Sequence, residues 1–138
     1  MFSPSKILAS AFLAVSMLIS PFVLAADAPH ADVKTLSNKA LPDYPGKEAT
    51  MILVTYPPGA VDPVHRHDAH AFLYVLEGEI VMGVKGGKEV HLKPGDTFYE
   101  APGDLHTVGH NASKTKPAKF TVLLLKDIGK PILTPTDK

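Results

Sequence analysis

Short apolar runs broken by turn-forming residues organise the chain beyond residue 26. Residues 50–56 (TMILVTY) are β-branched and apolar, and Pro57-Pro58-Gly59 stops them. Two further runs, 72–76 and 80–84, are separated by Glu77-Gly78-Glu79. Lys85-Gly86-Gly87-Lys88 reads as a hairpin turn, because glycine supplies the positive φ that primed turns need. Residues 90–92 follow, then a turn at Lys93-Pro94-Gly95-Asp96, then 97–100, which Pro102-Gly103 ends. Residues 120–126 (FTVLLLK) close the set. No segment after residue 26 sustains a helical period. Turn signals roughly every 8–12 residues predict an all-β fold, an antiparallel barrel or sandwich.

The opening of the chain follows a different rule. Lys6 is the only charge before Asp27, and the apolar stretch between them ends Val23-Leu24-Ala25-Ala26. A basic start, an apolar middle and small residues at the end define a secretory signal peptide, with cleavage after Ala25. The stretch is long enough to span a bilayer, but Pro21 and the Ala-rich end suit a peptidase better than a membrane anchor. The expected layout is a signal peptide at 1–25, an N-terminal arm at 26–49 and a β-barrel domain at 50–138. The arm is polar and proline-broken and reads as irregular, with at most one short strand. Export without cysteine points to a bacterial periplasm, where disulfides are allowed but not required.

Composition then narrows the chemistry. A chain of 138 residues supports one domain, and 45% hydrophobic with 20% charged residues is a globular profile. A formal net charge of zero gives no reason to expect nucleic acid, or a membrane surface once the signal is removed. The absence of cysteine excludes a disulfide framework, a thiolate metal site and a thiol nucleophile. Histidine, carboxylates, hydroxyls and lysine remain, and most of the seven histidines fall between His65 and His110. His65-Arg66-His67 is a His-x-His pair, and on an extended backbone residues i and i+2 share a face. An antiparallel barrel can bring His106 opposite that pair. Three neutral imidazoles at one point suit Fe, Zn, Mn, Ni or Cu, with positions left for water or substrate.

The wider spacing carries a family resemblance. Gly59-x5-His65-x-His67 followed by Gly78, and Gly95-x7-Gly103-x2-His106, resemble the two conserved motifs of the cupin superfamily. Phe72 to Glu79 looks like the strand and turn that close the first motif, and Lys93-Pro94-Gly95-Asp96 like the turn that opens the second. The resemblance implies a single antiparallel jelly-roll β-barrel holding a metal inside, with His65, His67 and His106 matching the three histidine ligands. Two departures stand out. The glutamate that cupins usually carry seven residues before the closing glycine is Ala71 here, with His70 beside it. Glu100 stands where the family commonly has an apolar residue.

The fourth ligand is therefore open between His70, Glu100 and water. His70 has the opposite parity to His65, His67 and Ala71, so it needs a bulge to join them; it is carried with them as a candidate ligand. Glu100 shares parity with Phe98, and an inward carboxylate is costly unless it binds a metal or hydrogen-bonds tightly. It is also the candidate catalytic acid or base. His110, at the position of a family asparagine, reads as a polar barrel-end residue or a group behind the ligands. His30 and His91 read as surface residues, and Arg66 as a salt-bridge partner of Asp62 or Asp68. Phe72 and Tyr74 alternate with Leu73 and Val75, so both faces of that strand are apolar, which suggests a second sheet or a partner chain. The resemblance implies a homodimer.

Three functions fit. The first is a metal-dependent enzyme of dioxygenase type, iron first among the metals, acting on a small diketone-, flavonol- or thiol-like molecule. Isomerisation or hydrolysis on a redox-inert metal is its sub-case. The second is a periplasmic protein that binds a metal or small ligand without turnover, and the third a degenerate interaction module. One superfamily hosts all of these, so the fold does not choose between them.

Overall fold

The computed structural model describes residues 27–136. The expected signal peptide at 1–25 lies outside the described residues. Ten strands are described: β1 (Asp32–Ala40), β2 (Lys47–Tyr56), β3 (His65–Arg66), β4 (Ala69–Glu77), β5 (Ile80–Val84), β6 (Val90–Leu92), β7 (Thr97–Glu100), β8 (Leu105–Asn111), β9 (Ala118–Asp127) and β10 (Thr134–Pro135). They form two five-stranded antiparallel sheets, ordered β1-β2-β9-β4-β7 and β10-β3-β8-β5-β6. Neighbours within a sheet are mostly distant in sequence, as the crossing connections of a jelly roll require. The expectation of an all-β antiparallel barrel or sandwich is met, in the form of two packed sheets.

The core sits between the sheets, and the strands alternate to reach it. In β2, Ile52, Val54 and Tyr56 are buried; in β9, Phe120, Val122 and Leu124 are. Leu73 and Val75 of β4 complete that sheet's inner face, and Ile80 and Met82 of β5 oppose it. The two-residue period that marks these strands in the sequence is thus the period of burial.

The segment read as an irregular arm contains β1 and the first residues of β2. β1 pairs with β2 along its length, through one bulge between Thr35 and Ser37. Every residue of β1 is exposed. It is held by its backbone ladder to β2, not by an apolar face, and so left no hydrophobic period to read.

Two local devices place the functional residues. In β8 the register against β5 slips between Gly83 and Val84, so that His106 and Asn111 are both buried although their parity differs. Asn111 therefore turns inward where His110, the family-aligned position, does not. The Nδ2 of Asn111 donates toward the carbonyls of Tyr56, Pro57 and Lys116 at 3.2, 3.0 and 2.8 Å, and its Oδ1 accepts from the Ser113 amide at 2.8 Å. This amide clamps the end of β2 to β8. Gly78 is the second device. It holds φ +71°, and a Cβ there would stand 2.6 Å from the Pro117 carbonyl oxygen and 2.8 Å from Ala118 Cα. Both are backbone atoms that cannot swing aside. Gly78→Ala is therefore expected to cost about 2–3 kcal/mol in urea unfolding, against about 1 kcal/mol for Gly95→Ala, which has the same kind of φ but open space. Equal costs at the two positions would show that close approach at Gly78 contributes nothing.

Candidate metal centre

One cavity of about 400 Å³ opens between the sheets. Its wall is largely apolar (Ile52, Val54, Leu73, Met82, Phe120, Val122), and its polar end carries Tyr56, Asp62, His65, His67, Glu100 and His106. His30, Ile132 and Leu133 also line it. His30 is exposed, as the sequence suggests for a surface residue, yet it belongs to the cavity lining.

The strand register brings the histidines together. His65 on β3 pairs directly with His106 on β8. His65 Nε2 lies 3.3 Å from His67 Nε2 and 3.2 Å from His106 Nδ1. The other ring nitrogens are fixed by carbonyls: His65 Nδ1 donates to Pro63 at 2.9 Å, and His67 Nδ1 to Ile132 at 2.5 Å. A carbonyl only accepts, so both rings carry their proton on Nδ1 and present a lone pair at Nε2. Two lone pairs facing each other at 3.3 Å cannot hydrogen-bond. They fit a shared cation, and carbonyl-oriented imidazole is the usual arrangement behind a metal ligand.

Glu100 completes the enclosure. Its Oε2 lies 3.8 Å from both His67 Nε2 and His106 Nδ1, too far for a hydrogen bond. That oxygen and His106 Nε2 are buried without a hydrogen-bond partner. Donors that share one ion at about 2.1 Å stand roughly 3–3.5 Å apart, close to the separations here. The donor set therefore fits a metal ion, and a group of Asp62, His65 and His106 could hold one with ligand atoms all within 4.8 Å of one another.

Asp62 went unmarked as a ligand in the sequence. Its parity differs from that of His65, but Pro63 intervenes, and its amide donates to the Gly109 carbonyl at 2.8 Å, turning the side chain inward. The Tyr56 hydroxyl donates to its Oδ2. Asp62 is therefore no partner of Arg66, which is exposed and forms no ion pair among the described residues. A Cβ on Gly109 would fall 2.9 Å from His106 Cε1 and 3.2 Å from Asp62 Oδ2, so glycine there leaves room for both groups.

His70, counted with the ligands, is not brought to the cluster. No bulge intervenes in β4 before Ala71, so His70 keeps its parity, faces out and accepts from or donates to the Tyr99 hydroxyl at 2.7 Å. His110 is half-buried against the Asn111 carbonyl, away from the cluster. His91 pairs with Glu79 at the surface.

Burial sets the protonation states. It pulls His106 down to about 4, helped by His65 and His67, and lowers His67 despite the Ile132 carbonyl. Both are neutral near pH 7, as ligation requires. Burial, then Asp104 and Asp62, pushes Glu100 up to about 7. Burial likewise raises Asp62, opposed by the Tyr56 hydroxyl, and raises Tyr56 itself.

The comparisons agree with this fold. The cupin domain family profile matches residues 52–124, and the chain belongs to that family. No match is found among curated proteins. Among solved structures it resembles the DMSP lyase DddQ of Ruegeria pomeroyi (25% identity, TM-score 0.57, 64% of this chain and 43% of that one). A double-stranded β-helix protein of Klebsiella pneumoniae (18% identity, TM-score 0.62) is covered over 94% of this chain and 100% of its own. A Bordetella pertussis cupin domain (18%, TM-score 0.58) is covered over 74% and 99%. The chain spans less than half the length of the lyases it matches.

The Glu100 shift has a measurable sign in metal-free protein. Its folded pKa lies above the ordinary carboxylate value, so its contribution is fully present below about pH 4.5 and is lost as pH rises through about 7. His106 acts oppositely, contributing above its ordinary 6.5 and losing this as pH falls through about 4. Comparing wild type with Glu100→Gln leaves the His106 contribution common to both. Relative to wild type, the variant should gain on the order of 2–3 kcal/mol between pH 4.5 and 7.5 in chemical unfolding. A flat difference across that window would mean Glu100 titrates as an exposed carboxylate.

Proposed function

We propose that this cupin is a metal-dependent enzyme of dioxygenase type, acting on a small, largely apolar organic molecule. The observation that supports it most is the convergence of ring nitrogens of His65, His67 and His106, with the unpartnered Glu100 Oε2 beside them, at one end of an apolar cavity. Unpaired polar atoms in such a place are expensive, and a bound ion is the simplest compensation. His65, His67 and His106 would hold the metal. An iron ion, the first candidate ahead of Zn, Mn, Ni or Cu, would supply redox chemistry with dioxygen when bound. The chain's own residues do the rest. Ile52, Val54, Leu73 and Phe120 receive the apolar body of the substrate and exclude water. Glu100 lies at the same end of the cavity, 3.8 Å from ring nitrogens of His67 and His106, and without a metal its carboxyl is raised by burial to about 7.

A second reading, proton transfer on a redox-inert metal, is favoured by the Tyr56–Asp62 hydrogen bond in the cavity wall and by the likeness to a DMSP lyase. That pair could move a proton at the Tyr56 hydroxyl without any change of oxidation state. A metal- or ligand-binding protein without turnover is the third outcome.

The reading includes export to the periplasm, so the protein is to be purified untagged from that fraction without chelator. The expected result is an N-terminus at Ala26 and about one equivalent of iron, lost in His106→Ala, with oxygen consumed when diketones, flavonols or thiols are supplied. Zinc with activity lost in Tyr56→Phe, and no oxygen uptake, would select the second reading. Tight metal without turnover would leave a binding protein, and no metal, native or added, would remove the enzyme reading altogether.

The homodimer is proposed through the outer face of the first sheet. Met51, Leu123, Phe72 and Tyr99 stand in register across β2, β9, β4 and β7, an apolar row on the solvent side. Phe72, Tyr74, Leu76 and Tyr99 are each 47% exposed. Two ion pairs flank the row, Lys119 with Glu77 at 3.0 Å and Lys47 with Asp127 at 2.5 Å. An exposed apolar row suits a second copy of itself. Light scattering should give a dimer for wild type and a monomer for Phe72→Lys; a monomeric wild type would refute the dimer.

A further inference from the structure

The carboxylate that the first motif lacks has a counterpart on the neighbouring strand. β4 and β7 pair so that Ala71 stands directly opposite Glu100, with Leu73 opposite Phe98 one step along. Both members of the first pair face inward: Ala71 is 1% exposed and Glu100 4%. Side chains directly opposed in an antiparallel ladder have Cβ atoms about 4.5–5.5 Å apart. Ala71 contributes only a methyl group to this space, so nothing at that position competes with the Glu100 side chain. Glu100 Oε2 stands equally far, 3.8 Å, from a ring nitrogen of His67 and one of His106, and has no hydrogen-bond partner.

We infer that Glu100 is the fourth protein ligand of the metal centre, a carboxylate moved across the strand ladder from β4 to β7. The inference rests on the reading of His65, His67 and His106 as the metal-holding set. Asp62 is the competing carboxylate, and the structure gives it a different occupation. It is only half-buried, and one of its two oxygens, Oδ2, accepts from the Tyr56 hydroxyl. Glu100 is the more deeply buried of the two, and its Oε2 has no hydrogen-bond partner while standing 3.8 Å from two rings.

The transposition makes a test that a simple deletion does not. Because positions 71 and 100 face each other, a glutamate returned to β4 in Ala71→Glu/Glu100→Ala reaches the same space from the other side. The probe is cobalt(II), whose visible absorption reports its ligands, with zinc affinity measured by competition. Wild type should bind one cobalt. Glu100→Gln, close in size and suited to keep the fold, should bind zinc at least 10-fold more weakly and change the cobalt spectrum. Asp62→Asn should leave that spectrum unchanged. The exchange variant should regain most of the affinity lost in Glu100→Ala, whereas Ala71→Ser/Glu100→Ala should not.

A wild-type spectrum and affinity in Glu100→Gln would overturn the inference while leaving the histidine site intact. A spectral change in Asp62→Asn alone would assign the ligand to Asp62 instead. Failure of wild type to bind cobalt or zinc would remove the metal reading and the inference with it. Thermal unfolding of each metal-free variant separates lost ligation from lost fold.

Discussion

Two imidazole lone pairs held face to face at 3.3 Å are the constraint around which this molecule is organised. Neutral rings do not adopt that geometry for their own benefit. The Pro63 and Ile132 carbonyls fix the Nδ1 protons, the β3–β8 register sets His106 beside His65, and Gly109 withholds a side chain from the space the His106 ring needs. Burial pulls His106 and His67 toward the neutral state, which favours these two rings as ligands where a cation could be received.

Around that cluster the carboxylates divide by environment. Glu100 is deep, unpartnered and raised toward neutrality by burial, whereas Asp62 is shallower and tied to a tyrosine. Two acids of nearly equal intrinsic strength thus have different duties available to them, one toward the rings and one toward a hydroxyl proton. The cavity beyond them is apolar enough to select against highly charged ligands, and it offers little that would name a particular substrate.

Most of the fold was legible because burial here obeys the two-residue period. The expected runs 80–84, 90–92 and 97–100 coincide with β5, β6 and β7, and those at 50–56, 72–76 and 120–126 lie within longer strands. What was not legible lacked that period for physical reasons. β1 is exposed along its whole length, β3 and β10 have two residues each, and β8 breaks parity at its bulge. The bulge also explains why His110 drew attention that belonged to Asn111. Parity argued for an inward Glu100 and against His70, and both residues lie where it places them. Asp62 was hidden because a proline-containing turn, not a strand, aims it.

The bond from His67 to the Ile132 carbonyl spans sixty-five positions of sequence. His65 is likewise sandwiched, since β3 lies between β8 and β10, both later in the chain. A polypeptide is made from its N-terminus, so every proposed ligand emerges before the group that orients His67. While the tail is still missing, that imidazole is free to choose either tautomer and many rotamers, and the ion would meet a slack, poorly selective set of donors. Docking of the tail around Ile132 and β10 is thus the closing stitch that fixes the orientation of the His67 ring.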